Sequence, residues 1–247
     1  EGPLIAEKLF YNLTARDIYY QGVFEGQRLF NPQNISYFDQ DDNFNLHRLE
    51  IIGDDTLNPG KGDGAFVPMN WNRKTYLQAK LIYRHSPFTK LKYTLINDDV
   101  SYQDYNRMYR YNPDGNLKRY RYGLTQLLQL NHTFSTKTFL NAGITHFKKS
   151  YQHRTYDRDK WDQYVHPKLL NSQPYSFLTG GTDLSVFSRE TSTSTFKADL
   201  TSQWNSKNKI KLGVEFRQHQ LNFNDYSLRP PDEKASFNEL SDDPFLG

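Results

Sequence analysis

The stretch "DQDDNFNLHRLE" holds the densest set of metal-type ligands in the chain. Asp39, Asp41, Asn43, Asn45 and Glu50 fall at positions 1, 3, 5, 7 and 12 of a calcium loop, where oxygen donors and a bidentate final acid suit Ca²⁺. Position 6 is Phe44, where the sharp turn requires glycine. A solvated acidic loop is therefore the simpler expectation, and no metal or other cofactor is assigned. A second stretch, "RMYRYNPDGNLKRYRYG", interleaves Arg107, Arg110, Lys118, Arg119 and Arg121 with tyrosines. That mixture can bind single-stranded nucleic acid. The net charge of only +3 provides no broad basic field for such a partner. Asn112-Pro113-Asp114-Gly115 is a strong turn signal, so a hairpin tip with exposed cations is expected there.

Enzyme chemistry has no foothold. The H-E-x-x-H, G-x-S-x-G and P-loop patterns are absent from the sequence. The acid pairs Asp54-Asp55 and Asp98-Asp99 read as solvated surface groups, and His132 and His146 sit singly in alternating stretches. With no cysteine in the chain, thiolate catalysis and disulfides are excluded.

What remains is a row of polar and charged side chains at every second position. Arg16, Gln78, Lys80, Arg84, Lys92, Lys197, Asp199, Lys211, Glu215 and Arg217 are its main members, joined by Asn12, Thr14, Thr94, Gln129, Asn131 and Thr201. Each alternates with apolar neighbours in one of seven segments: "LFYNLTARDIYY", "TYLQAKLIYR", "TKLKYTL", "LTQLLQLNHTF", "FLNAGITHFKKSY", "STFKADLTSQW" and "KIKLGVEFRQHQL". A period of two is strand patterning. Tight turns are expected at Ser86-Pro87, Ser135-Thr136 and 205–208, and long loops near 21–74, 103–122, 152–193 and 225–247. Short and long connections alternate, which is the order of an up-and-down meander with its tight turns at one end. Segments of this length exceed ordinary sandwich strands and suit membrane strands of about 9–11 residues.

The composition agrees with such a wall. Mean hydropathy is −0.85, yet 15% of residues are aromatic, which argues against disorder. A membrane barrel with a polar inside needs apolar residues at only half its strand positions. On that expectation the ten charged and polar residues face a lumen. Phe88, Phe134, Phe139 and Trp204 form one aromatic girdle, and Tyr102, Tyr105, Tyr120, Tyr122, Phe147 and Tyr151 form the other.

Three stretches carry a family resemblance: "GDGAFVPMNWNRKTYLQAKLIYRHSPFTKLKYTL", "YQDYNRMYRYNPDGNLKRYRYGLTQLLQLNHTFSTKTF" and "GGTDLSVFSRETSTSTFKADLTSQWNSKNKIKLGVEFRQHQL". They resemble the barrel of TonB-dependent outer-membrane receptors, in the branch common in Bacteroidetes that bears a carboxypeptidase-regulatory-like domain. The opening "KLFYNLTARDIYYQG…RLFNP" resembles the first barrel strand of that branch. The resemblance implies an outer-membrane location and a barrel of roughly 22 strands closed around a plug. It implies as partners outer-membrane lipid and lipopolysaccharide, the rest of the barrel and plug, the TonB energy complex and an unidentified transported ligand. Residues 1–247 would then be the N-terminal part of the barrel domain. Seven strands cannot close it, so further strands are expected elsewhere. Two other readings stand beside this one. The first is a non-transporting outer-membrane barrel acting in adhesion or as a scaffold. The second is a soluble all-β binding module.

Overall fold

The computed structural model describes residues 1–5, 7–33, 35–40, 46–52, 62–165 and 177–229. Its main element is one antiparallel sheet of eight strands. In spatial order these are β1 (Gly2–Ile5), β2 (Leu9–Gln21), β7 (Trp71–Ser86), β8 (Thr89–Gln103), β9 (Lys118–Ser135), β10 (Thr138–Arg154), β11 (Ser185–Gln203) and β12 (Lys209–Ser227). All seven expected segments are strands of this sheet. The short β1 is an eighth, missed because four residues opening on Gly-Pro carry no alternation. From β7 onward the strands have 15 to 19 residues, several times the length at which ordinary sheets stop.

The turns fall where the sequence placed them. β7 and β8 are joined at Pro87-Phe88, with the Ser86 hydroxyl accepting from the Phe88 N–H at 3.2 Å. β9 and β10 are joined around Thr136-Lys137, where Ser135 caps Lys137 in the same way at 3.2 Å. Between β11 and β12, Asn205 Oδ1 accepts from the N–H groups of Lys207 and Asn208 at 2.9 and 2.8 Å. This side chain imitates a backbone turn. All three tight turns lie at one end.

At the other end the strands run further than the alternation showed, and the connections fold on themselves. Two small antiparallel pairs form there, β3 (Glu25–Gln27) with β6 (Phe66–Pro68) and β4 (Ile35–Gln40) with β5 (Leu46–Ile52). The sheet does not close on itself. The outer edge of β12 has no partner strand among the described residues, and β1 covers only residues 9–11 of β2. The expected up-and-down antiparallel meander is therefore present as a long sheet of eight strands, not closed into a barrel.

Candidate functional site: a polar sheet face and the cap at its end

Register decides which side chains share a face. Arg16 pairs with Tyr76, Gln78 with Thr14 and Ile96, Lys80 with Asn12 and Thr94, and Arg84 with Lys90. Lys92 pairs with Gln129, Gln129 with Gly143, Gly143 with Lys197 and Lys197 with Glu215. Asp199, Lys211 and Arg217 follow by the two-residue repeat on β11 and β12. All ten sequence-predicted site residues thus lie on one face of the sheet. Their ion pairs are local and wet: Lys197 with Asp199 at 3.8 Å, and Arg217 with Glu215 at 2.5 Å. Exposed pairs of this kind contribute little to stability.

The opposite face carries three apolar ladders. One runs Tyr11, Leu81, Tyr93, Leu128, Ile144, Phe196 and Phe216 across seven strands; its neighbour runs Leu9, Tyr83, Leu91, Leu130, Ala142, Ala198 and Val214. The third, toward the turns, joins His132, Leu140, Leu200 and Leu212. None of these side chains belongs to the buried core. Leu212, Val214 and Phe216 are 63%, 58% and 66% exposed.

From Phe196 on β11 to Trp204, just past the strand's end, is eight residue steps, roughly 26 Å if extended. At a tilt of 35–45° this is roughly 20 Å of height, thinner than the ~25 Å apolar belt of outer-membrane barrels. Above the ladders this face is mixed: the next row runs Leu13, Ala79, Leu95, Gln126, His146, Ser194 and Gln218, apolar from β2 to β8 and polar from β9 to β12, and beyond it stand the ion pairs Asp17–Arg73 at 3.2 Å and Lys148–Glu190 at 2.9 Å. His132 and His146 lie on this face. Their ring nitrogens are engaged by Thr89 at 2.8 Å and Ser194 at 3.0 Å.

The two expected girdles are corrected by the same register. Tyr120 and Tyr122 lie on the apolar face, where the Phe134 ring also meets His132, whereas Phe139, Tyr102, Phe147 and Tyr151 share the polar one. Nearness to a strand end does not fix parity, and a girdle requires all its rings on one side.

The buried core of the molecule sits in the loops. Met69, Tyr109 and Leu178 form one cluster with Tyr105 against it; Tyr164, Val186 and Leu228 form another with Tyr156, Trp161, Leu184 and Tyr226. Val186 and Tyr226 have the parity of Phe196 and Phe216, so the second cluster rests on the upper end of the apolar face.

This cap is tied by the motifs that carried the resemblance. Gly181 of "GGTD" donates its N–H to the Pro32 carbonyl of "RLFNP" at 2.6 Å and accepts from Asn112 Nδ2 of "NPDGN" at 2.8 Å. Asp183 N–H donates to the Gly115 carbonyl at 2.9 Å. Gly181 has φ +81°, a left-handed conformation that favours glycine, and a Cβ on Gly115 would strike the Gly181 carbonyl. Arg28 joins the same knot, with Nε 2.6 Å from Asp114 and Nη1 2.8 Å from Asp63. These carboxylates, Asp114 first, hold the Arg28 guanidinium even above its usual range. The Ala65 N–H and then Arg28 hold the Asp63 carboxyl below its usual range. Burial, reinforced by the Asp183 carboxylate, pushes the Tyr109 hydroxyl far up, so it stays neutral.

"NPDGN" is therefore no protruding hairpin tip. It forms a 3₁₀ turn, Pro113–Gly115, just after another at Arg107–Tyr109, and Asn112 is fully buried. The sequence showed a turn there, and nothing in its alternation showed what would cover it. Of the candidate calcium ligands, 41–45 lie outside the described residues, while Asp39 and Glu50 belong to the backbone ladder of β4 and β5. Among the described residues no group of three or more acids and histidines gathers to hold a metal.

Searches against protein-family models, curated proteins and solved structures give no match to this chain.

Proposed function

We propose that this chain is the first part of the barrel of a TonB-dependent outer-membrane transporter, with its polar face toward the lumen and its apolar face toward lipid. The observation that carries the reading is the division of the sheet by register. All ten residues assigned to the lumen from sequence fall on one side, and the uncovered ladders through Leu81, Ile144 and Phe216 fall on the other. In a water-soluble sheet those ladders would lie against a second layer, and among the described residues the cap cluster covers this face only ten residues further along, at Val186 and Tyr226. Lipid surroundings tolerate them.

The open edge of β12 then pairs with further strands of the same polypeptide, because unpaired N–H and C=O groups are not tolerated in hydrocarbon. The capped end faces the outside and the tight turns face the periplasm. The family resemblance supplies the mechanism: a ligand is captured at the outer end and passes through the lumen when the TonB complex displaces the plug. The polar face would line part of that path.

The test is to recover the polypeptide that carries this segment from cells. The expected outcome is detergent dependence, heat-modifiable gel migration, and a plug and TonB box upstream by mass spectrometry. A barrel lacking both would favour adhesion or scaffolding. Expression as a monomer without detergent would end the membrane reading.

A further inference from the structure

We propose that the upper part of the polar face is a binding shelf for an anionic ligand bearing a planar ring system. The inference rests on the reading of that face as the lumen wall and goes beyond it by naming a ligand chemistry. One cross-strand row from β8 to β12 reads Val100, Arg121, Tyr151, Arg189 and Phe223; the next row toward the cap reads Tyr102, Arg119, His153, Phe187 and Asp225. Both rows have the parity of Lys197 and Glu215.

Four rings in these rows touch in a chain. Tyr151 lies 5.5 Å from Phe187, His153 stacks on Phe187 at 5.3 Å, and Phe223 meets Phe187 edge-on at 5.3 Å. The His153 ring is pinned on both sides, by the Ser185 hydroxyl at 3.0 Å and the Tyr151 hydroxyl at 3.4 Å. Phe223 nevertheless remains 57% exposed, so the chain of rings ends in an open aromatic surface.

The cations beside these rings differ in how they are used. Arg119 is committed to Asp104 at 3.1 Å. Arg121 leans over the Tyr102 ring at 5.7 Å. Among the described residues neither Arg121 nor Arg189 is paired with a carboxylate, and both are exposed. They flank Tyr151 on the two neighbouring strands, two strand spacings apart or roughly 10 Å. Asp98 leans over Gly123, two residues along β9 from Arg121, Asp104 pairs with Arg119, and Asp183 and Asp225 act on His153; none of these carboxylates forms an ion pair with Arg121 or Arg189 among the described residues.

Cross-strand packing accounts for the rings. It gives no reason for two unpaired guanidiniums to bracket Tyr151. A guanidinium fork binds a carboxylate or phosphate in two places at once, and an aromatic surface beside it stacks a flat ring. Together they fit an oxyanion attached to a planar ring.

The test uses the detergent-solubilised polypeptide that carries this segment, titrated calorimetrically with 2-naphthoate and with its neutral counterpart 2-naphthamide. Naphthoate is expected to bind at least about tenfold more tightly. The Arg121→Gln, Arg189→Gln double variant is expected to erase that preference and leave naphthamide binding unchanged. Tyr151→Leu is expected to weaken both several-fold. Heat-modifiable migration checks folding; should the double variant lose it, each single variant is expected to lose part of the preference. Equal affinity for the two probes, no binding of either, or a preference that survives loss of the arginines would overturn the inference. Labelling at position 197 separates the two levels. Water access there with no naphthoate preference sinks the shelf alone, whereas lipid contact there sinks the reading on which it rests.

Discussion

The cap and the sheet beneath it handle apolar surface in opposite ways. In the cap, Met69, Tyr109 and Leu178 are buried in one cluster and Tyr164 and Leu228 in another, and their loops are closed by the hydrogen bonds from Asn112, Gly181 and Asp183. In the sheet, Leu81, Ile144, Leu212 and Phe216 stand open, and order comes from backbone ladders up to 19 residues long. The cap covers its own apolar groups, although Asn112 Oδ1 and Trp161 Nε1 are buried there without a hydrogen-bond partner among the described residues. The sheet makes sense only with something against its apolar face and beyond its last edge. Stability of the two regions should therefore respond to different insults: cap substitutions in water, sheet substitutions through the surrounding medium.

The sharpest break in that comparison is expected between two positions three residues apart on β7. Leu81→Arg should impair membrane assembly or stability by about 2–4 kcal/mol, the cost of a cation on a lipid-facing strand position. Gln78→Arg, on the other face, should change it by less than ~0.5 kcal/mol. Urea titration of the folded protein in lipid vesicles reads both, and equal tolerance would remove the distinction between the faces.

Next in size is Gly115→Ala. Its methyl group meets the Gly181 carbonyl, and overpacking against backbone should destabilise the cap by about 1–3 kcal/mol. Amide exchange in 103–117 and 177–184 should rise while β9 and β10 stay protected. Asn112→Ala, which removes the bond to Gly181, should cost about 1–2 kcal/mol in the same readout.

A smaller effect is expected from pH. The Asp63 carboxyl is held below its unfolded value of about 3.9. Its contribution is therefore fully present above that value and is lost as pH falls through the lower, folded one. Limited proteolysis should open 21–33 and 62–70 faster at about pH 3 than at pH 7, with no corresponding opening on the alkaline side up to about pH 9. Arg28→Ala should reduce this acid sensitivity and leave the larger part that the Ala65 N–H supplies. Because Arg28 and its partners are partly exposed, its effect at pH 7 should be about 1 kcal/mol.

The sheet was legible in the sequence because a strand writes itself as a period of two. Leu77, Ala79 and Leu81 against Gln78 and Lys80 gave β7 its two faces before any partner was known, and register then preserved that parity across the sheet. The cap was not legible, because its core comes from isolated residues such as Met69 and Leu178 in stretches without period, brought together only by tertiary contacts. The turn at Asn112-Pro113-Asp114-Gly115 was readable, while its burial depended on Pro32 and Gly181, 80 and 69 residues away in sequence.

The aromatic belts failed for a reason visible in the sequence itself. Phe139 has the parity of Asn141, and Tyr151 that of Lys149, so counting positions would have assigned them to the polar face. The shelf around Tyr151 went unnoticed because its arginines come from β9 and β11, and one-dimensional order does not show that they bracket the same ring.

The most direct test of the central claim compares neighbours on one strand. The chain has no cysteine, so Phe196→Cys and Lys197→Cys can each carry a single nitroxide label in the protein reconstituted in lipid. The account expects the label at 196 to relax strongly with oxygen and weakly with a water-soluble nickel chelate, and the label at 197 to do the reverse. The same relaxation profile at both positions would contradict it.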